Sequence, residues 1–369
     1  MLNYWSTEPF VELLQQLIAT PSHTRDEGAA ADLLCRFFNT HGIKHERLHN
    51  NLILHGNHTI GCPRLLLNSH IDTVRPAASY TRDPYAPTIE NGRLYGLGAN
   101  DAGASAVALL ATFLRLVNRT GSWNKDADAL PFDIMLLLSA EEECGGEHGI
   151  RACYDHLRDV EMAIVGEPTS MQAAIAEPGL VVLDCEAKGK SGHAARGEGV
   201  NALYIALDDI QKLRHAQFNR VSPTLGPIRL TTTMINCGTQ HNVVPDTCRF
   251  VVDVRTTDAY TNEQTVEIIR AALQSEVTPR STRIRASVID KQHPLVRAAV
   301  KAGAKPFVST TTSDRTLMPF PALKIGPGDS ARSHTADEYI QIEKIEQGIA
   351  TYVRIIENLA KLYGNKTLG

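Results

Sequence analysis

The stretch Leu65-Leu66-Leu67-Asn68-Ser69-His70-Ile71-Asp72 decides the fold class of this sequence. Its three consecutive apolar residues predict a strand buried on both faces, and a histidine and an aspartate follow where that strand ends. Comparable short apolar runs recur at 134–138, 163–165 and 323–325. Amphipathic helical patterns accompany these runs, among them a small-residue helix over about 103–116 and a final helix over 342–362. The sequence therefore predicts an α/β domain with a mainly parallel central sheet covered by helices.

The middle of the chain has a different pattern. Apolar and polar residues alternate over 181–187, 228–235 and 248–254, which is typical of strands with one exposed face. Helical patterns occur at 201–214 and 262–275. Two helices on an antiparallel sheet make an α+β domain. We predict that this domain, residues 180–290, is inserted into an α/β domain formed by residues 1–179 and 291–369.

Composition excludes several classes of protein. The 369 residues carry 37 Lys and Arg against 41 Asp and Glu, a formal net charge of −4, which argues against a nucleic-acid-binding face. We find no uninterrupted apolar run of membrane-spanning length and no signal-peptide pattern at the amino terminus. The seven cysteines form no Cys-x-x-Cys pair, as expected for free thiols in a reducing compartment. We expect a cytoplasmic protein without nucleic-acid or membrane partners.

Polar residues follow each buried strand. His70 and Asp72 follow the first, and the glutamate run 141–143 follows the second. Glu167 comes after the third, and His334 lies a few residues beyond the fourth. Asp101 stands at the start of the small-residue helix. Ligands of open α/β sheets bind beyond the carboxyl ends of the strands, so these side chains are expected to converge.

Each of these features has an ordinary interpretation when it stands alone. A His-x-Asp sequence is usually a surface ion pair or a turn, a glutamate run is usually a solvated loop, and a lone histidine is usually a surface residue. Their joint occurrence at successive strand ends instead favours a metal site. Two histidines with several carboxylates are the donors of a hydrolytic zinc site, whereas structural zinc sites are rich in cysteine.

Five motifs resemble the co-catalytic dinuclear zinc amidohydrolases and peptidases, the family of acetylornithine deacetylase and succinyl-diaminopimelate desuccinylase. The motifs are Ser-His-Ile-Asp-Thr-Val at 69–74, Gly-Leu-Gly-Ala-Asn-Asp at 96–101, the glutamates at 141–143, Gly-Glu-Pro-Thr at 166–169 and Ser-His-Thr-Ala-Asp-Glu at 333–338. The resemblance covers almost the whole chain and is strongest to the acetylornithine deacetylase branch.

The resemblance implies a site with two divalent metal ions. Zinc is the expected metal, and cobalt and manganese are the alternatives. Asp101 would bridge the ions, with His70 and Glu167 completing one and Glu143 and His334 completing the other. Asp72 would accept a hydrogen bond from the other imidazole nitrogen of His70. Glu142 would be the general base that takes a proton from the attacking water.

Two features leave alternatives open. The family often has a Lys-Gly pair soon after the bridging aspartate, whereas Ala102-Gly103-Ala104 follows Asp101 here. The three consecutive glutamates allow two alignments. In the one we adopt, Glu142 is the base and Glu143 a ligand; in the other, Glu141 is the base and Glu142 the ligand.

The resemblance also implies roles in the inserted domain. His193 would polarise the scissile carbonyl from the partner subunit of a homodimer formed through this domain, although a strand-to-helix turn is its ordinary interpretation. Asn242 and Arg255 would hold the substrate's carboxylate or acyl oxygen, unless Arg255 simply pairs with a neighbouring acid. Gly328, in Gly326-Pro327-Gly328, would let the backbone approach the substrate.

We therefore expect an enzyme that hydrolyses the amide bond of an N-acyl amino acid, releasing the free amino acid. N-acetylornithine, acetylcitrulline or acetyllysine would place it in arginine or lysine biosynthesis. Two alternatives stay open on the same fold: a dipeptidase or succinyl-diaminopimelate-type desuccinylase, and a non-catalytic dimeric binding module.

Overall fold

A computed structural model describes residues 2–56, 61–118 and 130–364. Its helices are α1 Glu8–Ile18, α2 Gly28–Thr40, α3 Ala104–Asn118, α4 Ala202–Arg214, α5 Asn262–Ala272, α6 Pro294–Lys301 and α7 Ile342–Gly364. Its strands are β1 Glu46–Leu48, β2 Asn51–His55, β3 Arg64–His70, β4 Thr88–Glu90, β5 Arg93–Tyr95, β6 Asp133–Ser139, β7 Val160–Val165, β8 Ala173–Glu177, β9 Gly179–Lys188, β10 Gly192–His193, β11 Arg229–Cys237, β12 Val243–Val244, β13 Thr247–Thr256, β14 Glu276–Pro279, β15 Ser287–Val288, β16 Pro306–Val308, β17 Ala322–Lys324 and β18 Tyr339–Gln341.

The chain divides into two compact units. The first, the sheet unit, comprises Met1–Ile175, Ile289–Phe307 and Ser313–Gly369. The second, the inserted unit, comprises Ala176–Val288 and Val308–Thr312. The roles of catalytic and dimerisation domain that we assigned to 1–179 with 291–369 and to 180–290 stay predictions.

The sheet unit is built on a mixed sheet whose strand order is β1-β2-β6-β3-β7-β17-β8. Its centre is parallel, because β3 pairs in parallel with β6 and β7, and β17 pairs in parallel with β7. The outer strands β1, β2 and β8 pair antiparallel with their neighbours. The predicted class, α/β with a mainly parallel central sheet, is confirmed.

Both faces of this sheet are buried. Leu65 and Leu67 belong to one apolar cluster with residues of α1, α3 and α7. Leu66, between them, belongs to a second cluster with Ile150 and Leu157 of a short 3-10 helix, Ile150–Leu157. Successive side chains of a strand point to opposite faces, so a continuous apolar run is what two covered faces require.

One helical run among the described residues, Ala99–Val117, is long and apolar enough to cross a membrane by length and composition. Of its most apolar 18-residue window, 78% is buried inside the protein. A helix in the core of a folded domain has the same length and composition.

The inserted unit is the α+β arrangement that the alternating pattern predicted. Its antiparallel sheet has the order β11-β13-β9-β14. Buried residues of α4 and α5, such as Ala206 and Ile269, share one apolar cluster with the inward residues of β9 and β13. The predicted pair of helices on an antiparallel sheet is confirmed.

A buried carboxylate joins α4 to the segment that follows α5 in the inserted unit. Asp209 of α4 accepts hydrogen bonds from the backbone N–H groups of Gln274 and Ser275, at 2.9 and 2.8 Å, and from the Ser275 hydroxyl at 2.7 Å. Lys212 Nζ donates a further bond of 3.0 Å. Burial alone would raise the pKa of Asp209, but the hydrogen bonds from Ser275 and Lys212 outweigh it, and the pKa is lowered.

Asp209→Asn should lower the free energy of unfolding by about 2 kcal/mol at neutral pH, because buried N–H donors lose a charged acceptor. A lowered pKa stabilises the fold above the ordinary carboxyl pKa and loses that effect as the pH falls through the lowered value. The difference between the two proteins should therefore shrink below about pH 4. Urea unfolding at several pH values measures it. Asp208→Asn, at the exposed neighbouring position, is the control, and equal effects of the two substitutions would contradict the prediction.

Candidate metal centre

Parallel strand ends bring the predicted site residues together at one edge of the sheet unit. His70 is the last residue of β3, and the glutamate run begins two residues after β6 ends at Ser139. Glu167 lies two residues beyond the end of β7. Since β3, β6 and β7 are parallel neighbours, their carboxyl ends lie side by side. This is the convergence that the sequence predicted.

His70 faces three carboxylates through one ring nitrogen. Its Nε2 lies 3.3 Å from Asp101 Oδ1, 3.8 Å from Glu167 Oε1 and 4.0 Å from Glu142 Oε2. The imidazole is buried. Burial opposes a charge on the ring, but hydrogen bonds to Asp101 and Asp72 outweigh it and raise the pKa of His70 well above its ordinary value.

His334 faces the same aspartate from another part of the chain. Its Nε2 lies 3.0 Å from Glu143 Oε1 and 3.8 Å from Asp101 Oδ2. The hydrogen bond to Glu143 raises the pKa of His334 to about 9. Asp101 therefore directs one oxygen toward His70 and the other toward His334.

Asp72 contacts both the glutamate run and His70. Its carboxylate accepts hydrogen bonds from the backbone N–H groups of Glu142, at 3.0 Å, and Glu143, at 3.2 Å, and from the Thr24 hydroxyl at 2.9 Å. His70 Nδ1 lies 2.9 Å from the Asp72 carbonyl oxygen and 3.4 Å from its carboxylate. The backbone carbonyl is thus the nearer partner of the imidazole, where the sequence pointed to the carboxylate.

The three glutamates point in different directions. Glu141, at φ +53°, turns its side chain back to His148, whose backbone N–H donates to Oε2 at 3.1 Å. Glu142 and Glu143 contact the cluster around His70 and His334 instead. The left-handed backbone at Glu141 separates its side chain from those of its two neighbours.

The cluster concentrates buried negative charge. Burial raises the pKa of Glu167 to about 8, and burial together with the neighbouring carboxylates raises the pKa of Glu142 well above its ordinary value. Carboxylates packed this closely in a protein interior need protons or cations between them.

Two imidazoles among carboxylates are donors that suit zinc, cobalt or manganese. The ligand atoms of His70, Asp101 and Glu143 lie within 4.8 Å of one another, as do those of His70, Glu142 and Glu167. The donor set and its spacing fit divalent metal ions.

Sequence reasoning missed two buried carboxylates beside the cluster. Asp314, on the 3-10 helix Asp314–Leu317, accepts a hydrogen bond of 2.6 Å from the Ser139 hydroxyl, and burial raises its pKa to about 6. No periodicity or strand-end position marked it. Glu338 accepts from the backbone N–H groups of Gly98, Asn100 and Asp101, at 3.0, 2.8 and 2.8 Å. Burial raises the pKa of Glu338 to about 7.

Glu338 was within a motif that we quoted, and that motif was the signal available for it. Its carboxylate holds the backbone that presents Asp101. These hydrogen bonds position Asp101.

Gly328 lies in the sheet unit in a tightly packed turn. Its φ is +92°, and a Cβ there would lie 2.6 Å from Asn100 Oδ1. Its carbonyl oxygen accepts a hydrogen bond of 2.6 Å from the Ser170 backbone N–H. These contacts explain the glycine by local packing, and substrate contact by Gly328 stays a prediction.

The other predicted residues lie in the inserted unit. His193 is exposed, its Nδ1 accepts a hydrogen bond of 3.2 Å from the Ala195 backbone N–H, and the next residue, Ala194, donates to the Asn242 carbonyl oxygen at 3.0 Å. His193 and Asn242 are thus neighbours. Arg255 forms a two-pronged pair with the Asp253 carboxylate, at 2.8 and 3.1 Å. That pair is the ordinary interpretation of Arg255, and substrate binding by it stays a prediction.

Fold and site together define a metallohydrolase. The model of peptidase family M20/M25/M40 matches residues 66–358, and the chain belongs to this family.

Curated relatives align over nearly the whole chain. The chain is 28% identical to succinyl-diaminopimelate desuccinylase of Paracoccus denitrificans (strain Pd 1222), covering 94% of this chain and 97% of the relative. It is also 28% identical to acetylornithine deacetylase of Shigella sonnei (strain Ss046), covering 95% and 97%.

Solved structures share the fold. A tripeptidase from Staphylococcus aureus superposes with a TM-score of 0.76 at 21% identity, covering 96% of this chain and 99% of that one. A dinuclear metal-binding peptidase of family M20 from Bacillus subtilis gives 0.72 at 14%, covering 95% and 97%.

Glu338→Ala should lower the free energy of unfolding of chelator-treated protein by about 2–4 kcal/mol, because three N–H groups lose their buried acceptor. Glu338→Gln keeps one acceptor oxygen, so its free energy of unfolding should lie between those of the wild type and Glu338→Ala. Thermal unfolding without metal separates this effect from metal binding. Glu346→Ala, at an exposed position of α7, is the control, and a Glu338→Ala protein as stable as the control would contradict a positioning role.

Proposed function

We propose that the chain uses two divalent ions to hydrolyse the amide bond of an N-acyl amino acid. Zinc is the metal that we favour. His70 and Glu167 would hold one ion, Glu143 and His334 the other, and Asp101 would bridge them. One observation carries this assignment: the two oxygens of Asp101 face two different histidines, at 3.3 Å from His70 and 3.8 Å from His334.

Ions bound there supply polarisation of the scissile carbonyl and a lowered pKa for the attacking water. Glu142 takes a proton from that water on its carboxylate and passes it to the leaving nitrogen. Asp72 keeps Glu142 in place through the backbone N–H of Glu142 itself. The Glu141 carboxylate accepts a hydrogen bond from the His148 backbone N–H, and we therefore assign it no part in this transfer.

Glu142→Ala should bind as many ions as the wild type and lose activity by about 10²–10⁴-fold, because only the proton transfer is removed. Metal analysis together with turnover measures both quantities. Glu141→Ala is the matched control and should stay active. The reverse result, an active Glu142→Ala and an inactive Glu141→Ala, would move the base to Glu141; two bound ions with no activity in the wild type would favour the binding-module alternative.

N-acyl amino acids are supported as substrates by the relatives. Both relatives act, by their names, on acylated amino acids, one acetylated and one succinylated. We favour N-acetylornithine, acetylcitrulline or acetyllysine, because the motifs at 326–328 and 333–339 resemble the acetylornithine branch. The desuccinylase alternative is supported by the relative from Paracoccus denitrificans, at equal identity. A cytoplasmic role in arginine or lysine biosynthesis belongs to the same proposal.

A competition assay distinguishes these substrates. Zinc- or cobalt-loaded protein is given equimolar N-acetylornithine, N-acetylcitrulline, N-acetyllysine, N-succinyl-diaminopimelate and several dipeptides, and mass spectrometry follows their loss. We expect an acetylated amino acid to disappear first, and the Glu142→Ala protein is the blank. Prior loss of the succinyl compound or of the dipeptides would assign the enzyme to that alternative.

We further propose a homodimer through the inserted unit, in which His193 of the partner subunit polarises the scissile carbonyl. The edge strand β11 carries the exposed apolar side chains of Met234 and Ile235. Tyr204 and Leu207 on α4 are exposed as well. Apolar side chains on a sheet edge mark a pairing surface.

Light scattering should give about twice the chain mass of 40.4 kDa. Replacing Met234 and Ile235 by lysine should give monomers that keep their metal and lose activity, because the partner's histidine is missing. Val221→Lys, at another exposed apolar position of the inserted unit, is the control. A monomeric wild type with full activity would contradict this part of the proposal.

A further inference from the structure

A second group of histidine and carboxylate side chains lies in the sheet unit, and none of its members belongs to the centre around Asp101. Glu46 Oε1 lies 3.5 Å from His55 Nε2, and Glu46 Oε2 lies 3.7 Å from His156 Nδ1. The ligand atoms of these three residues all lie within 4.8 Å of one another.

The fold itself brings these residues together. Glu46 on β1 pairs with Ile53 on β2. His55 is two residues beyond Ile53, so its side chain leaves the sheet on the same face as that of Glu46. Ile53 packs with Ile150 and Leu157 of the 3-10 helix Ile150–Leu157, which places this helix on that face. His156 is the residue of the helix that precedes Leu157.

We propose that Glu46, His55 and His156 form a separate binding site for a divalent transition-metal ion, with Zn²⁺ as the probe. Two imidazole nitrogens and one carboxylate are zinc ligands, and bonds of 2.0–2.2 Å in a tetrahedron place neighbouring ligand atoms about 3.4 Å apart. The distances of 3.5 and 3.7 Å from the Glu46 oxygens are close to this value, and the three ligand atoms lie within 4.8 Å of one another. Side-chain rotation would have to close the set by at most about 1.4 Å. Side-chain exposures of 34% for His55 and 33% for His156 leave the site open to solvent, so that water can fill the fourth position.

An ion there would join strands β1 and β2 to the 3-10 helix Ile150–Leu157. Calcium and magnesium prefer oxygen ligands, so the site should discriminate against both. The predicted property is a further equivalent of zinc that is independent of the ions at the Asp101 centre.

Equilibrium dialysis against buffered zinc, with metal counted by mass spectrometry, tests the site. His156→Ala and Glu46→Gln should each bind one equivalent fewer than the wild type, and the double variant should lose no second equivalent, because all three residues hold one ion. His215→Ala, which removes an exposed histidine of the inserted unit, is the matched control and should bind as the wild type does. Unfolding in chelator, expected to be unchanged, shows that the variants fold.

The measured quantity is the difference in zinc content between each variant and the wild type. It therefore does not depend on how many ions the Asp101 centre holds. Equal zinc content of wild type and both variants would overturn the proposal. Loss of one zinc equivalent in His215→Ala would also overturn it, because exposed histidines would then bind zinc non-specifically.

Discussion

Buried negative charge at the carboxyl edge of a parallel sheet is the constraint on which this protein's site depends. Glu142, Glu167 and Asp101 all lie within 4.0 Å of one imidazole nitrogen of His70. Carboxylates cannot be crowded in a protein interior without compensation, because burial disfavours each charge and the charges repel one another. This burial and repulsion raise the pKa values of Glu142 and Glu167 in the metal-free protein. Divalent cations would neutralise this negative charge. Asp101 suits a dinuclear centre because its two carboxylate oxygens face different histidines.

A second set of carboxylates serves a different purpose. Asp72 and Glu338 are also buried, but they accept hydrogen bonds from backbone N–H groups. Asp72 holds the glutamate run, and Glu338 holds the backbone of Asp101. These hydrogen bonds hold backbone in place, although burial still raises the pKa of Glu338 to about 7. The geometry of the centre is therefore set by acidic residues that need not touch a metal.

Much of this arrangement could be predicted from the sequence, because it follows from periodicity and strand direction. The unbroken run at Leu65–Leu67 predicts a doubly covered strand, and parallel strands put His70, Glu142 and Glu167 at one edge. The alternating pattern around β9 and β13 predicts the antiparallel sheet of the inserted unit in the same way.

Other features depend on contacts between distant parts of the chain, which no local pattern records. Asp314 is brought to Ser139 from 175 residues away, and Glu338 reaches Asp101 from 237. The directions of the three glutamates depend on the left-handed backbone at Glu141, which the letters Glu-Glu-Glu cannot show. The same holds for Gly328, whose turn is fixed by packing on Asn100.

Anomalous diffraction at the zinc absorption edge, from crystals of zinc-loaded protein, tests the central claim most directly. At this edge of the sheet we expect two peaks about 3.5–4 Å apart, one on each side of Asp101, with His70 and Glu167 at one and Glu143 and His334 at the other. A single peak at this edge of the sheet, or two peaks that Asp101 does not bridge, would contradict it.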